Sequence, residues 1–183
     1  MVRRLAFPIT VLALTAIIVL SLVFYFTTNK PMPHTTSKVT LGDACLVGGW
    51  TLRHEDYHLN SATTHIVLSG LGGALLAITP GGAETLSYNA SAPEVGHSNS
   101  LVESLLLRGS LVSLVHASNG LLSINPVSSN VRQFITINGK IQPPQLLPDP
   151  AATTATYTCS SSQLLISAQA PASGYTDIFI RTP

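Results

Sequence analysis

Charge is in short supply in this chain: only 9% of its 183 residues are Asp, Glu, Lys or Arg, and it carries two Cys and one Trp. Beyond residue 29 the cations are Lys30, Lys38, Arg53, Arg108, Arg132, Lys140 and Arg181. Against eight acids they leave a formal charge of −1. Without a basic stripe, the counterion release that drives nucleic-acid binding has no source, so nucleic acid is excluded as a partner. The chain also lacks a Gly-x-Ser-x-Gly elbow, and Gly70-Leu71-Gly72-Gly73 is followed by neither a Walker lysine nor a helical pattern. Acyl transfer and phosphate cradling therefore have no support, and no enzyme activity or cofactor is expected.

No long amphipathic helical period is present. Short apolar runs recur instead between turn signals about every ten residues, the rhythm of an all-β domain. The expected strands are 49–59, 65–68, 74–79, 85–89, 105–116, 121–125, 131–137, 154–159, 163–168 and 175–182. Asn119-Gly120 and Asn138-Gly139 are the strongest hairpin turns, because a type I′ turn needs positive φ at both central residues. Gly81-Gly82 and Ser160-Ser161-Ser162 are weaker ones. Pro143, Pro144, Pro148 and Pro150 make a non-helical connection. Closure into a small antiparallel up-and-down barrel would pair the edges of such a meander, with a two-sheet β-sandwich as the alternative.

What the chain does have is one long apolar block. Leu5 to Phe26 contains no charge over 22 positions, and a helix of that length reaches about 33 Å, enough to span hydrocarbon. It ends in Phe24-Tyr25-Phe26 rather than at a small-residue cleavage site, so a retained anchor is expected. The organisation that follows is residues 1–4 cytoplasmic, 5–26 transmembrane, 27–42 an extended linker with Pro31 and Pro33, and 43–183 the folded domain. Cys45 and Cys159 bracket nearly all of that domain. An exported domain with two cysteines usually pairs them, which places the domain on the extracytoplasmic side of the cell membrane.

Cys45-Leu46-Val47-Gly48-Gly49-Trp50 resembles the opening of the first strand in lipocalin-like barrels, with Gly48 and Trp50 in the Gly-x-Trp motif. At the other end, Tyr157-Thr158-Cys159, a Ser turn and Phe179-Ile180-Arg181 resemble the closing strands of small exported or membrane-anchored actinobacterial lipocalin-like domains. The resemblance implies that Trp50 plugs one barrel end and that Arg181 lies across its ring, where a guanidinium gains cation–π energy. It implies a binding role for a small hydrophobic molecule or lipid. The alternative is a barrel filled by its own side chains, serving as a structural or interaction module for another envelope protein.

His54, Asp56 and His58 alternate along the first expected strand, which in a regular strand points them to the same face as Trp50 and Leu52. Two histidines four residues apart on a straight strand are separated by about 13 Å, too far for one metal ion. No metal site is assigned to them. Asn89-Ala90-Ser91 has the form of a glycosylation acceptor.

Overall fold

The computed structural model describes residues 41–60, 65–98, 101–147, 150–170 and 173–183, so the apolar block at 5–26 and most of the linker lie outside the described residues. A single turn of 3-10 helix at Ala44–Leu46 precedes fourteen strands: β1 (Gly48–Asn60), β2 (His65–Gly70), β3 (Leu75–Ile78), β4 (Ala83–Ser87), β5 (Glu94–Ser98), β6 (Leu101–Arg108), β7 (Ser110–Ser118), β8 (Leu121–Ser129), β9 (Arg132–Ile137), β10 (Lys140–Ile141), β11 (Gln145–Leu146), β12 (Thr153–Cys159), β13 (Gln163–Gln169) and β14 (Ser173–Arg181). No helix among the described residues is long and apolar enough to cross a membrane.

Eight strands close a barrel in the cyclic order β1-β3-β4-β7-β8-β12-β13-β14, every neighbouring pair antiparallel. These eight meet in chain order once the remaining strands are set aside, so the closed part is an up-and-down meander. The sandwich alternative does not apply.

The remaining strands form an upper tier of the same wall. β1 pairs with β3 through Gly48–Thr51 and with β2 through Glu55–Asn60, so it runs through both tiers. From β1 the upper tier continues β2-β5-β6-β9, matching the order β3-β4-β7-β8 below. The tall wall kinks where β2 passes to β3, β4 to β5, β6 to β7 at Gly109, and β8 to β9 at Asn130. The kink line is laced by hydrogen bonds, with the Tyr88 amide donating to the Gly109 carbonyl at 2.9 Å and the Ser110 amide to Asn130 Oδ1 at 2.7 Å. β9 carries β10 and β11 on its outer side. Among the described residues no strand pairing joins these back to β13, so the upper tier is not closed by hydrogen bonds.

Both Asn-Gly turns form as their chemistry requires: Asn119 and Gly120 have φ of 52° and 76°, and Asn138 and Gly139 have 48° and 75°. Three expectations need correction. The single strand at 105–116 is two, because Gly109 at φ 107° breaks it at the kink line. β5 was not expected, since Glu94-Val95-Gly96-His97-Ser98 has too few apolar residues to read as a strand alone. The third concerns His54, Asp56 and His58. A bulge between Leu52 and His54 shifts the pairing with β14 by one residue, so the inward series on β1 runs Trp50, Leu52 and then Glu55 and Tyr57. A bulge inserts one residue and thereby exchanges the faces beyond it. His54 and Asp56 point outward, 3.0 Å apart, with 44% and 55% of their side chains exposed.

The lower tier is solid. Trp50, Leu46, Leu122, Val115 and Leu164 have no accessible surface, and Phe179 and Leu52 almost none. A buried side chain of this size stabilises a fold by about 1.5–3 kcal/mol, so the lower tier is where most of the hydrophobic stabilisation resides.

Candidate functional site

The closed end is built from the two chain ends. Arg181 follows Phe179 on the inward face of β14 and is register-paired with Trp50. Its guanidinium carbon lies 4.0 Å from the Trp50 ring centroid. Its nitrogens donate to the carbonyls of Ser161 at 2.9 Å, Val47 at 3.0 Å and Cys45 at 2.8 Å. The Trp50 indole donates to the Leu46 carbonyl at 2.9 Å. Gly48 has φ +132°, and a Cβ there would stand 2.5 Å from Arg181 Nη1. The disulfide Cys45–Cys159 closes the same end with 6.1 Å between α-carbons. The Tyr157 hydroxyl donates to Asp43 Oδ2 at 3.0 Å, and Asp43 also accepts the Cys45 amide. Each of these groups makes a contact that holds the two chain ends together.

Above this plug the interior changes character. Going up β1 and β14, the inward pairs are Trp50 with Arg181, Leu52 with Phe179, Glu55 with Asp177 and Tyr57 with Tyr175. The third layer is thus two carboxyls facing each other on a hydrophobic floor. Asp177 is 9% exposed. Burial, the Glu55 charge beside it and the hydrogen bond between the two raise it well above the ordinary carboxylate range. Burial also raises Glu55, to about 7. Two adjacent buried carboxyls cannot both ionise cheaply, so the pair shares a proton that Asp177 donates to Glu55.

Two further buried acids lie within electrostatic reach of Asp177, Glu94 from the upper tier and Glu84 from the lower. Glu55 is opposite Gly70 on β2, and Glu94 continues the same row one strand over, one residue beyond the Ser69–Val95 pair. Gly70 has φ +144°, and a Cβ there would stand 2.6 Å from the Pro93 carbonyl oxygen and 2.9 Å from the Glu94 α-carbon, so the glycine lets the chain entering β5 close against β2 between the two glutamates. Glu94 is 3% exposed, and burial and the Glu55 charge raise it to about 8. Glu84 enters from β4 opposite Ser113 of β7, and burial raises it to about 7. Tyr88, at the kink line, senses the charge of Glu55, Asp177, Glu84 and Glu94, and burial together with those charges raises its phenol well above 10.

The cluster has unmet hydrogen-bonding capacity. Glu94 Oε1, Asp177 Oδ1 and Ser113 Oγ are buried without a partner. No cation answers them: the one ion pair among the described residues is His54 with Asp56 on the outer surface. There the Ser69 hydroxyl and then the His54 ring hold Asp56 below the ordinary range. Arg108 is near the kink but gives its Nη1 to the carbonyls of Tyr88, Ser91 and Leu107. No group of three His, Cys, Asp or Glu among the described residues is placed to hold a metal ion. Asn89 of the sequon is occupied by the Gly109 amide, which donates to its Oδ1 at 3.0 Å.

Sequence reasoning missed this acidic layer. Asp177 carried a signal, since it shares the parity of Tyr175, Phe179 and Arg181. Glu55 was hidden by the bulge, and Glu94 lay in an unexpected strand. Comparison with family models, with curated proteins and with solved structures finds no match.

Proposed function

We propose that this protein is a membrane-anchored, extracytoplasmic lipocalin-like module that binds a small hydrophobic molecule or lipid in its upper tier. The observation that carries the reading is the contrast between tiers. Below, the side chains exclude solvent almost entirely. Above, the inward-facing Glu55, Tyr57, Tyr88, Leu105, Ile135 and Tyr175 keep intermediate accessibility, although Glu55 and Tyr88 lie deep among protein atoms. An inward side chain with accessible surface faces internal space, and an apolar space with a few convergent polar groups is the usual form of a small-molecule site. The 22-residue uncharged run supports the anchor, and the disulfide supports the oxidising side of the membrane.

The test is native mass spectrometry of the full chain released from its own membrane. An adduct of lipid mass that survives gentle activation is the expected result. Repeated detection of the bare chain alone, with no displacement of a fluorescent fatty-chain probe, would sink the reading. The filled solidity of the lower tier favours a second reading, a structural module that presents its outer face to an envelope protein. Val67 and Val95, 41% and 45% exposed on the adjacent strands β2 and β5, are the surface it would use.

A further inference from the structure

We propose that the Glu55–Asp177 pair, Glu94, Glu84 and Tyr88 form a receptor for an organic cation, the ammonium head of a small alkylamine whose chain lies against the apolar upper tier. This rests on the binding role proposed above and specifies the chemistry of what is bound.

The argument begins with placement. The four acids come from β1, β4, β5 and β14, so no local sequence preference gathers them; the closure of the wall does. Glu84, Glu94 and Asp177 are buried, and a buried carboxyl oxygen without a partner is a destabilising element that a fold otherwise avoids. Glu94, 97% buried by its 3% exposure, leaves Oε1 unpartnered. Ser113, fully buried and opposite Glu84, leaves its hydroxyl unpartnered as well. A carboxyl oxygen and a hydroxyl oxygen can each accept a hydrogen bond from a ligand. Among the described residues the protein supplies no cation to them, since Arg53, Arg132 and Lys140 are exposed and Arg181 and Arg108 are committed to carbonyls.

Spacing selects the class of cation. Glu55 and Glu94 flank Gly70, so their backbones are two strand spacings apart, about 10 Å. A divalent metal needs several ligands at bond lengths near 2 Å, and no three His, Cys, Asp or Glu among the described residues are placed to supply them. An ammonium group presents three donors in different directions and satisfies acceptors at hydrogen-bond range. It also balances the site's charge. When the cation enters, a proton held by the carboxyl cluster leaves to solvent, so the site exchanges one positive charge for another. Tyr57 and Tyr175, paired in the next layer up, line the way the attached chain would leave.

The experiment is titration calorimetry at pH 7 on the full chain in zwitterionic nanodiscs, with empty nanodiscs subtracted, using hexylammonium, hexan-1-ol and hexanoate. Hexylammonium should bind at least tenfold more tightly than hexanol, and hexanoate should not bind. In buffers of different ionisation enthalpy, its heat should report proton release. Asp177→Asn combined with Glu94→Gln should remove the preference for the amine, so that hexylammonium binds no more tightly than hexan-1-ol. Both substitutions replace a carboxyl by an amide of the same shape, and an unchanged circular dichroism spectrum confirms the fold. Equal affinity for hexylammonium and hexanol would overturn the cation receptor and leave the apolar binding role standing. If none of the three binds, both fall.

Discussion

Arg181 lies across the ring of Trp50 while three backbone carbonyls, of Cys45, Val47 and Ser161, accept from its nitrogens. One side chain thereby ties the first strand, the last strand and the β12–β13 turn together, and Gly48 leaves the room it occupies. Arg181→Ala should lower stability by about 2–3 kcal/mol, from lost charge-assisted hydrogen bonds and cation–π contact. Gly48→Ala alone should also destabilise, because the new methyl meets the guanidinium in a backbone conformation that favours glycine. A double-mutant cycle by urea denaturation should show the pair less than additive. Full additivity would mean that Gly48 serves only its own dihedral.

The disulfide spans 114 residues of sequence. On the chain-entropy account, closing so long a loop removes about 4 to 5 kcal/mol of unfolded-state freedom. Replacing Cys45 and Cys159 together by Ser should therefore move the urea midpoint down steeply while the remaining native population keeps its β spectrum. An unchanged midpoint would place the stabilisation elsewhere.

Stability should fall as pH rises. Glu84 titrates at about 7 in the folded protein against 4.5 for the free group. Between those values the unfolded chain has released a proton that the folded one still holds, so its contribution is complete below pH 4.5 and is lost as pH passes 7. A shift of this size corresponds to at most about 3 kcal/mol. Glu55 and Glu94, raised in the same direction, extend the window to about pH 8. Thermal denaturation should give a higher midpoint at pH 5 than at pH 8.5. Glu84→Gln should flatten the pH dependence and raise the midpoint at pH 8.5. A midpoint that climbs from pH 5 to pH 8.5 in the wild type would contradict the burial of these acids.

Gly120 and Gly139 test turn chemistry in isolation. A Cβ at Gly120 would meet only the Tyr157 carbonyl at 3.8 Å, and one at Gly139 would meet nothing within 4 Å. The penalty for Gly→Ala at either position is then conformational alone, about 1 kcal/mol. Similar losses at both sites in chemical denaturation are expected; a large difference would show that one turn is not held in the type I′ form.

The local chemistry of the chain determined the β class, both Asn-Gly turns and most strand positions, because alternation and turn dihedrals are properties of a few adjacent residues. The resemblance at the two ends pointed to the contact of Trp50 with Arg181. Tertiary structure alone decided the rest. Closure of the wall set which strands meet, and one extra residue between Leu52 and His54 turned Glu55 inward and His54 and Asp56 outward. Such a bulge is fixed by pairing with β14, over 120 positions away in the chain, and leaves no mark on the local pattern. The acidic layer follows from that geometry: its members gather only once the strands have closed, so their sequence spacing says nothing of their shared proton or their unmet acceptors.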